Sequence, residues 1–207
     1  REEYTRNFAQ ALTTVAITIP EVVTIEEQTN LIPFIPHLAA ATEFSQYVEG
    51  EGENKIWCCI GLARFYRTQS QFTEAEKWLQ KSLNISEEQL GSNHLDTATS
   101  LNNLASLYTE KWRLAEAEPL FDEALKICHQ PFSNDANISL AYSLKGLASL
   151  YARQEGWIEA EQMYCQAIEI FERLFGDRPN DALASSLSGL AEVYKFLGRP
   201  IEAEQMY

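Results

Sequence analysis

The triplet Glu-Ala-Glu begins at Glu74, Glu116, Glu159 and Glu202, a spacing of 42, 43 and 43 residues. Each copy stands in matching surroundings: GLARFYRTQSQFTEAEKWL from Gly61, NLASLYTEKWRLAEAEPLF from Asn103, GLASLYARQEGWIEAEQMY from Gly146 and GLAEVYKFLGRPIEAEQMY from Gly189. A period of this length marks stacked units, none of which can bury its apolar face alone. It excludes most folds before composition is consulted.

Within a unit the apolar spacing is helical. Leu101, Leu104, Ala105 and Tyr108 fall at i, i+3, i+4 and i+7, and after a short polar turn Ala117, Leu120, Phe121, Ala124 and Leu125 repeat the pattern. Each unit therefore reads as a helical hairpin. Alanines at 63, 105, 148 and 191 on the first helix, and at 75, 117, 160 and 203 on the second, let the two backbones approach closely. The large residues Tyr66, Tyr108, Tyr151 and Tyr194, with Leu79, Phe121, Tyr164 and Tyr207, fill the space that is left. Thr73, three residues before Glu76, has the spacing of a capping box, and Pro200 suits a first helical turn.

Two adjacent asparagines interrupt the second unit. Asn103 aligns with Gly61, Gly146 and Gly189, a row that demands small size although each helical glycine costs about 1 kcal/mol relative to alanine. Something must come close there, a neighbouring helix or a ligand main chain. Asn102 aligns with Ile60, Lys145 and Ser188, a variable row.

The units resemble the tetratricopeptide repeat (TPR), and more narrowly the 42-residue variety of kinesin light chains. The likeness is carried by LGSNHLDTATSLNNLASLYTEKWRLAEAEPLFDEALKI, residues 90 to 127, with its LG, His94, Asp96, LNNLA, tyrosine and EAEPLF. The resemblance implies an all-α, right-handed superhelical solenoid of helix-turn-helix repeats, with three full repeats and the front of a fourth over residues 55 to 207. It also implies a non-catalytic scaffold that binds a protein or peptide in the groove lined by first helices. Groove asparagines of such proteins bond peptide backbones, a role that Asn102 alone could fill here. Leu95 stands where the family usually has proline, and the linker QPFSNDANISLAYS has lost the motif.

Residues 1 to 54 do not repeat. FAQALTTVAITIP reads as a short helix ending at Pro20, and IPFIPHLAAATEFSQYVEGEGEN as a helix entered through Pro33 and Pro36 and released at Gly50 and Gly52. An apolar helix ahead of a solenoid covers the first unit's stacking face. More loosely, the segment resembles the bridge that precedes such repeats in bacterial signal-transduction ATPases with a nucleotide-switch domain. The chain starts without methionine and stops inside a helical pattern, and so reads as a piece of something longer.

Chemistry is sparse. No phosphate-cradling glycine loop, nucleophile elbow or His-Glu-x-x-His is present, and His37, His94 and His129 lie far apart. No enzyme activity, metal or cofactor is expected. Cys58, Cys59, Cys128 and Cys165 show no metal or framework spacing and read as reduced thiols of a cytoplasmic protein. The sequons at Asn84 and Asn137 read as chance matches, without a leader before them. His94 reads as a helix cap. A net charge of −14 argues against a nucleic-acid or anionic-membrane partner.

That charge is unevenly spread. The four first helices carry Arg64, Arg67, Lys145, Arg153 and Lys195 against Glu110 and Glu192, while residues 1 to 54 carry nine carboxylates against Arg1 and Arg6. Arg64, Arg67, Thr99, Asn102, Asn103, Tyr142, Lys145 and Lys195 are accordingly the candidate groove residues, suited to an acidic peptide with an apolar or aromatic anchor. Arg67, Arg153 and Lys195 sit in last helical turns, where the helix dipole alone favours a cation. Two other readings place the ligand elsewhere: a sensor arm that holds an upstream ATPase inactive, its partner being its own chain, or repeats stacked end to end beyond Tyr207.

Overall fold

A computed structural model describes residues 11, 14–17, 30–43, 51–129, 135–176 and 178–206, with the side chains of 41, 43, 51–54 and 135–137 left aside. The described residues are helical, without strands. After a 3-10 turn over Ile32–Phe34 come α1 (Ile35–Glu43), α2 (Glu51–Thr68), α3 (Phe72–Gln89), α4 (Leu95–Glu110), α5 (Leu114–Cys128), α6 (Asp135–Arg153), α7 (Trp157–Phe175), α8 (Asp181–Phe196) and α9 (Pro200–Glu204). The four repeats are α2/α3, α4/α5, α6/α7 and α8/α9. Most of the helix expected over 8–20, Gly50, residues 130–134 of the altered linker, and Tyr207 lie outside the described residues. Gly52 does not release a helix but lies within the first turn of α2.

The turn inside each hairpin is built the same way. Ser70, Trp112, Glu155 and Gly198 all have positive φ, at 58°, 59°, 62° and 74°. The next amide reaches back five residues: Gln71 N–H to Tyr66 O, Arg113 to Tyr108, Gly156 to Tyr151 and Arg199 to Tyr194, each at 2.9 Å. This is a Schellman closure, which satisfies carbonyls that the ending helix leaves open. The second helices then start on backbone alone. Gln71, Arg113, Gly156 and Arg199 occupy the N-cap position with no side-chain cap bond. Thr73 lies inside α3, so the capping box read there does not form; the Schellman turn has already fixed where the helix begins.

Three of the four left-handed positions carry a side chain. An L-residue in that conformation costs about 1–2 kcal/mol, and glycine gives back about 0.4–1 kcal/mol by loosening the unfolded chain. Ser70→Gly and Glu155→Gly are each expected to raise the free energy of unfolding by about 0.5–1 kcal/mol on these terms, read as a higher urea midpoint at unchanged slope. Trp112→Gly should gain less, because the Arg153 guanidinium lies 4.9 Å from the Trp112 ring centroid.

Two compact units divide at Leu104 and Ala105, within α4. In the first, Ala16, Leu38, Cys58 and Leu62 form a buried cluster flanked by Tyr66 and Trp78. A Cβ on Gly61 would stand 2.8–2.9 Å from Ala16, including its backbone, so this glycine admits a chain crossing directly against α2. The Ser82 and Ser100 hydroxyls, both fully buried, satisfy each other at 2.9 Å and tie α3 to α4. The imidazole Nδ1 of His94 accepts the Asp96 amide at 3.2 Å, and its carbonyl accepts those of Thr97 and Ala98, which makes His94 the cap of α4.

In the second unit α6 packs along α7, α7 along α8, and α8 also meets α6, so first helices of successive repeats lie side by side. Phe121 fills a cluster with Ala105, Ala117, Leu147 and Leu150, Phe171 one with Ala141, Leu144, Ala167 and Ala182, and Tyr164 one with Ala148, Ala160, Leu190 and Ala191. The alanine rows thus sit in the clusters that hold the large residues, as close helix approach requires.

Candidate interaction face and the family it belongs to

In the first unit, the variable row of the first helices is closed. Ile60 is fully buried and Asn102 is only 6% exposed. Asn103 donates its side-chain amide to the Thr99 carbonyl four residues back at 2.8 Å, and the Thr99 hydroxyl donates to Leu95 O at 3.1 Å. Arg64 and Arg67 are half-buried on α2. Asn102 thus lies buried, and Asn103 is half-buried with its side-chain amide engaged on its own helix.

In the second unit the same rows are open. Tyr142 is 36% exposed, Ser185, Ser188, Glu192 and Lys195 are exposed, and Lys145 is half-buried between them in sequence register. Tyr142 is held from behind by the buried Phe171 ring, edge to face at 5.4 Å between centroids, and the Lys145 ammonium lies 5.8 Å from its own centroid. Together they form a fixed aromatic plate with a cation beside it. In the neighbouring core cluster the Tyr164 hydroxyl bonds Ser149; burial pushes its pKa up, and that bond only partly opposes the shift. Nothing in this arrangement offers a nucleophile or a general base.

The cysteines agree with that. All four are free thiols, three of them buried. Burial pushes Cys128 up, and burial with the Glu161 carboxylate pushes Cys165 up, so neither has thiolate character. Among the described residues no group of three potential ligands could hold a metal, and no helix is long and apolar enough to cross a membrane.

Sequence reasoning passed over the edge formed by the hairpin turns. Arg113 stacks 3.9 Å from the Tyr108 centroid and grips both oxygens of Glu116, while Arg199 stacks 4.5 Å from the Tyr194 centroid, grips Glu202 and reaches Glu161 at 2.7 Å. Glu202 is held below the usual carboxylate range by that guanidinium. The signal was in the register, where both arginines stand five residues after the repeat tyrosine and three before a glutamate.

A family model for the tetratricopeptide repeat matches residues 54–130, 110–173 and 137–207, which together cover every hairpin described above. The chain is a tetratricopeptide-repeat protein. Among solved structures, BtubC (BKLC) from P. vanneervenii superposes with a TM-score of 0.66 at 22% identity over 86% of this chain and 70% of that one. A protein of Podosopora anserina described as a kinesin light chain with nearly identical TPR-like repeats gives 0.62 at 18% identity, over 100% of this chain and 92% of that one. At such identities the likeness speaks for the fold, an all-α solenoid of kinesin-light-chain type. Mouse Nephrocystin-3 is 36% identical over 94 residues, 42% of this TPR chain and 7% of the mouse protein. Repeats of this kind generally mediate protein–protein interaction and are generally not enzymes.

Proposed function

We propose that the open face of α6 and α8 binds an acidic peptide segment with an aromatic or apolar anchor. One observation carries this: Tyr142 stands out of the core on a Phe171 support with the Lys145 ammonium beside it. A rigid, partly exposed aromatic ring gives contact area at little entropic cost, and a neighbouring ammonium selects carboxylates. Lys195 adds a second exposed cation along α8, with the exposed Glu192 three residues before it. Lys145 lies in mid-helix, where the dipole gives no reason for a cation.

The test is a fluorescence-anisotropy titration with a labelled acidic peptide that contains one tryptophan. Lys145→Glu with Lys195→Glu is expected to weaken binding at least about tenfold, and raising salt from 50 to 500 mM to weaken the parent complex in the same direction. Tyr142→Ala should cost a similar factor, the size usual for a well-packed aromatic anchor. Unchanged affinity in the double variant removes the proposal.

A further inference from the structure

The residue after the left-handed position of each hairpin turn is Gln71, Arg113, Gly156 and Arg199 in chain order. Repeat 4 holds the Arg199 guanidinium on the Tyr194 ring, between Glu202 of its own second helix and Glu161 of the preceding one, at 2.5–2.7 Å. Shifted back by one repeat, these positions are Tyr151, Glu159 and Glu118, with Asp122 in place of Cys165, and the arginine position is Gly156. Repeat 3 thus keeps the aromatic ring and both carboxylates but lacks the cation that they hold next door.

The glycine is not there for the backbone. Gly156 has φ −80° and ψ 67°, against −88° and 58° at Arg113 and −111° and 63° at Arg199. Any residue fits that conformation. A Cβ at 156 would lie 3.2 Å from a Glu159 carboxylate oxygen and 3.7 Å from the Tyr151 Cβ, so the carboxylate stands at the root of the missing side chain. No ion pair joins Glu118, Asp122 or Glu159 to a cation among the described residues. Burial, and then Glu118, Asp122 and Glu159 in turn, push the Tyr151 hydroxyl pKa up, as expected where negative charge gathers without a counter-charge. Arg153, two residues along, lies over the Trp112 ring.

We infer that Tyr151, Glu118 and Glu159 form an open receptor for a guanidinium group, filled by an arginine side chain of a partner protein. The neighbouring repeat is the independent witness: the register-equivalent residues bind a guanidinium within this same chain. A planar fork suits two carboxylates and an aromatic face better than a point-like ammonium does. Ile158, 62% exposed beside Glu159, adds apolar surface that a protein segment covers and a free amino acid does not.

The experiment is a backbone amide NMR titration of the whole chain with acetyl-Gly-Arg-Gly-amide, its lysine counterpart and free L-arginine. Saturable shifts at Tyr151, Gly156 and Glu159 are expected, at least several-fold tighter for the arginine tripeptide than for the other two probes. Gly156→Arg should abolish them by filling the slot in cis, in a turn that already accepts arginine in repeats 2 and 4. Glu159→Gln should weaken them at least fivefold with the fold retained. Lys145→Glu should leave them unchanged, which separates this site from the peptide face. Shifts that persist in Gly156→Arg, equal response to the lysine tripeptide, or no response at millimolar probe would overturn the receptor. Equal affinity for free L-arginine would overturn the partner protein as its source.

Discussion

Gly146→Ala is expected to destabilise the second unit by about 1–2 kcal/mol, although it replaces a helical glycine with the best helix former. The new methyl would stand 2.2 Å from Cε1 and 2.5 Å from Cζ of Phe121, a ring with no exposed surface. Overpacking costs about 1–3 kcal/mol, a contact at 2.2 Å belongs to the upper part of that range, and the gain in helix propensity returns only about 1 kcal/mol. Urea unfolding of the parent and the variant measures the difference, and an unchanged or higher midpoint would show that the ring can move aside.

The same chain suggests the rescue. By register the residue opposite Asn103 is Leu79, the one aliphatic member of a row otherwise occupied by Phe121, Tyr164 and Tyr207. Where the knob is shorter, a side chain larger than glycine is tolerated. Gly146→Ala combined with Phe121→Leu should therefore be more stable than the sum of the two single effects by roughly 1 kcal/mol, the coupling expected of residues that share one space.

Phe171→Ala should cost more, about 3–5 kcal/mol, the range for removal of a buried aromatic ring. Phe171 is fully buried among Ala141, Leu144, Ala167 and Ala182, so its loss opens a space that small neighbours cannot fill. The ring also supports Tyr142 from below. The variant should accordingly lose affinity for the acidic peptide along with stability, under conditions where it remains folded by circular dichroism. A loss of less than about 1 kcal/mol, in a range reserved for sites that collapse well, would mean that α6 and α7 close the gap.

The repeat was legible because stacking imposes the same demands every 42 or 43 residues, and periodic alanines and aromatics record them. The glycine row was legible as a demand for small size, but whether a helix or a ligand pressed there was not. The structure answers for two of the glycines: the Phe121 ring reaches Gly146 and the Tyr164 ring reaches Gly189. The face of the first helices was legible as helical spacing, yet spacing cannot say which members are covered. Asn102 and Ile60 share the register of Lys145 and Ser188 and lie buried, because burial depends on what each unit folds against a row.

Periodicity along the chain determined that this protein is built of helical hairpins, where the turn inside each one falls, and which alanines and large residues share its core. Those are local demands that recur in every copy. Which polar residues remain open, and that a turn arginine draws carboxylates from two repeats, was decided only in three dimensions. The Arg199 site draws Glu161 from one repeat and Tyr194 with Glu202 from the next, and no single copy of the sequence pattern contains it.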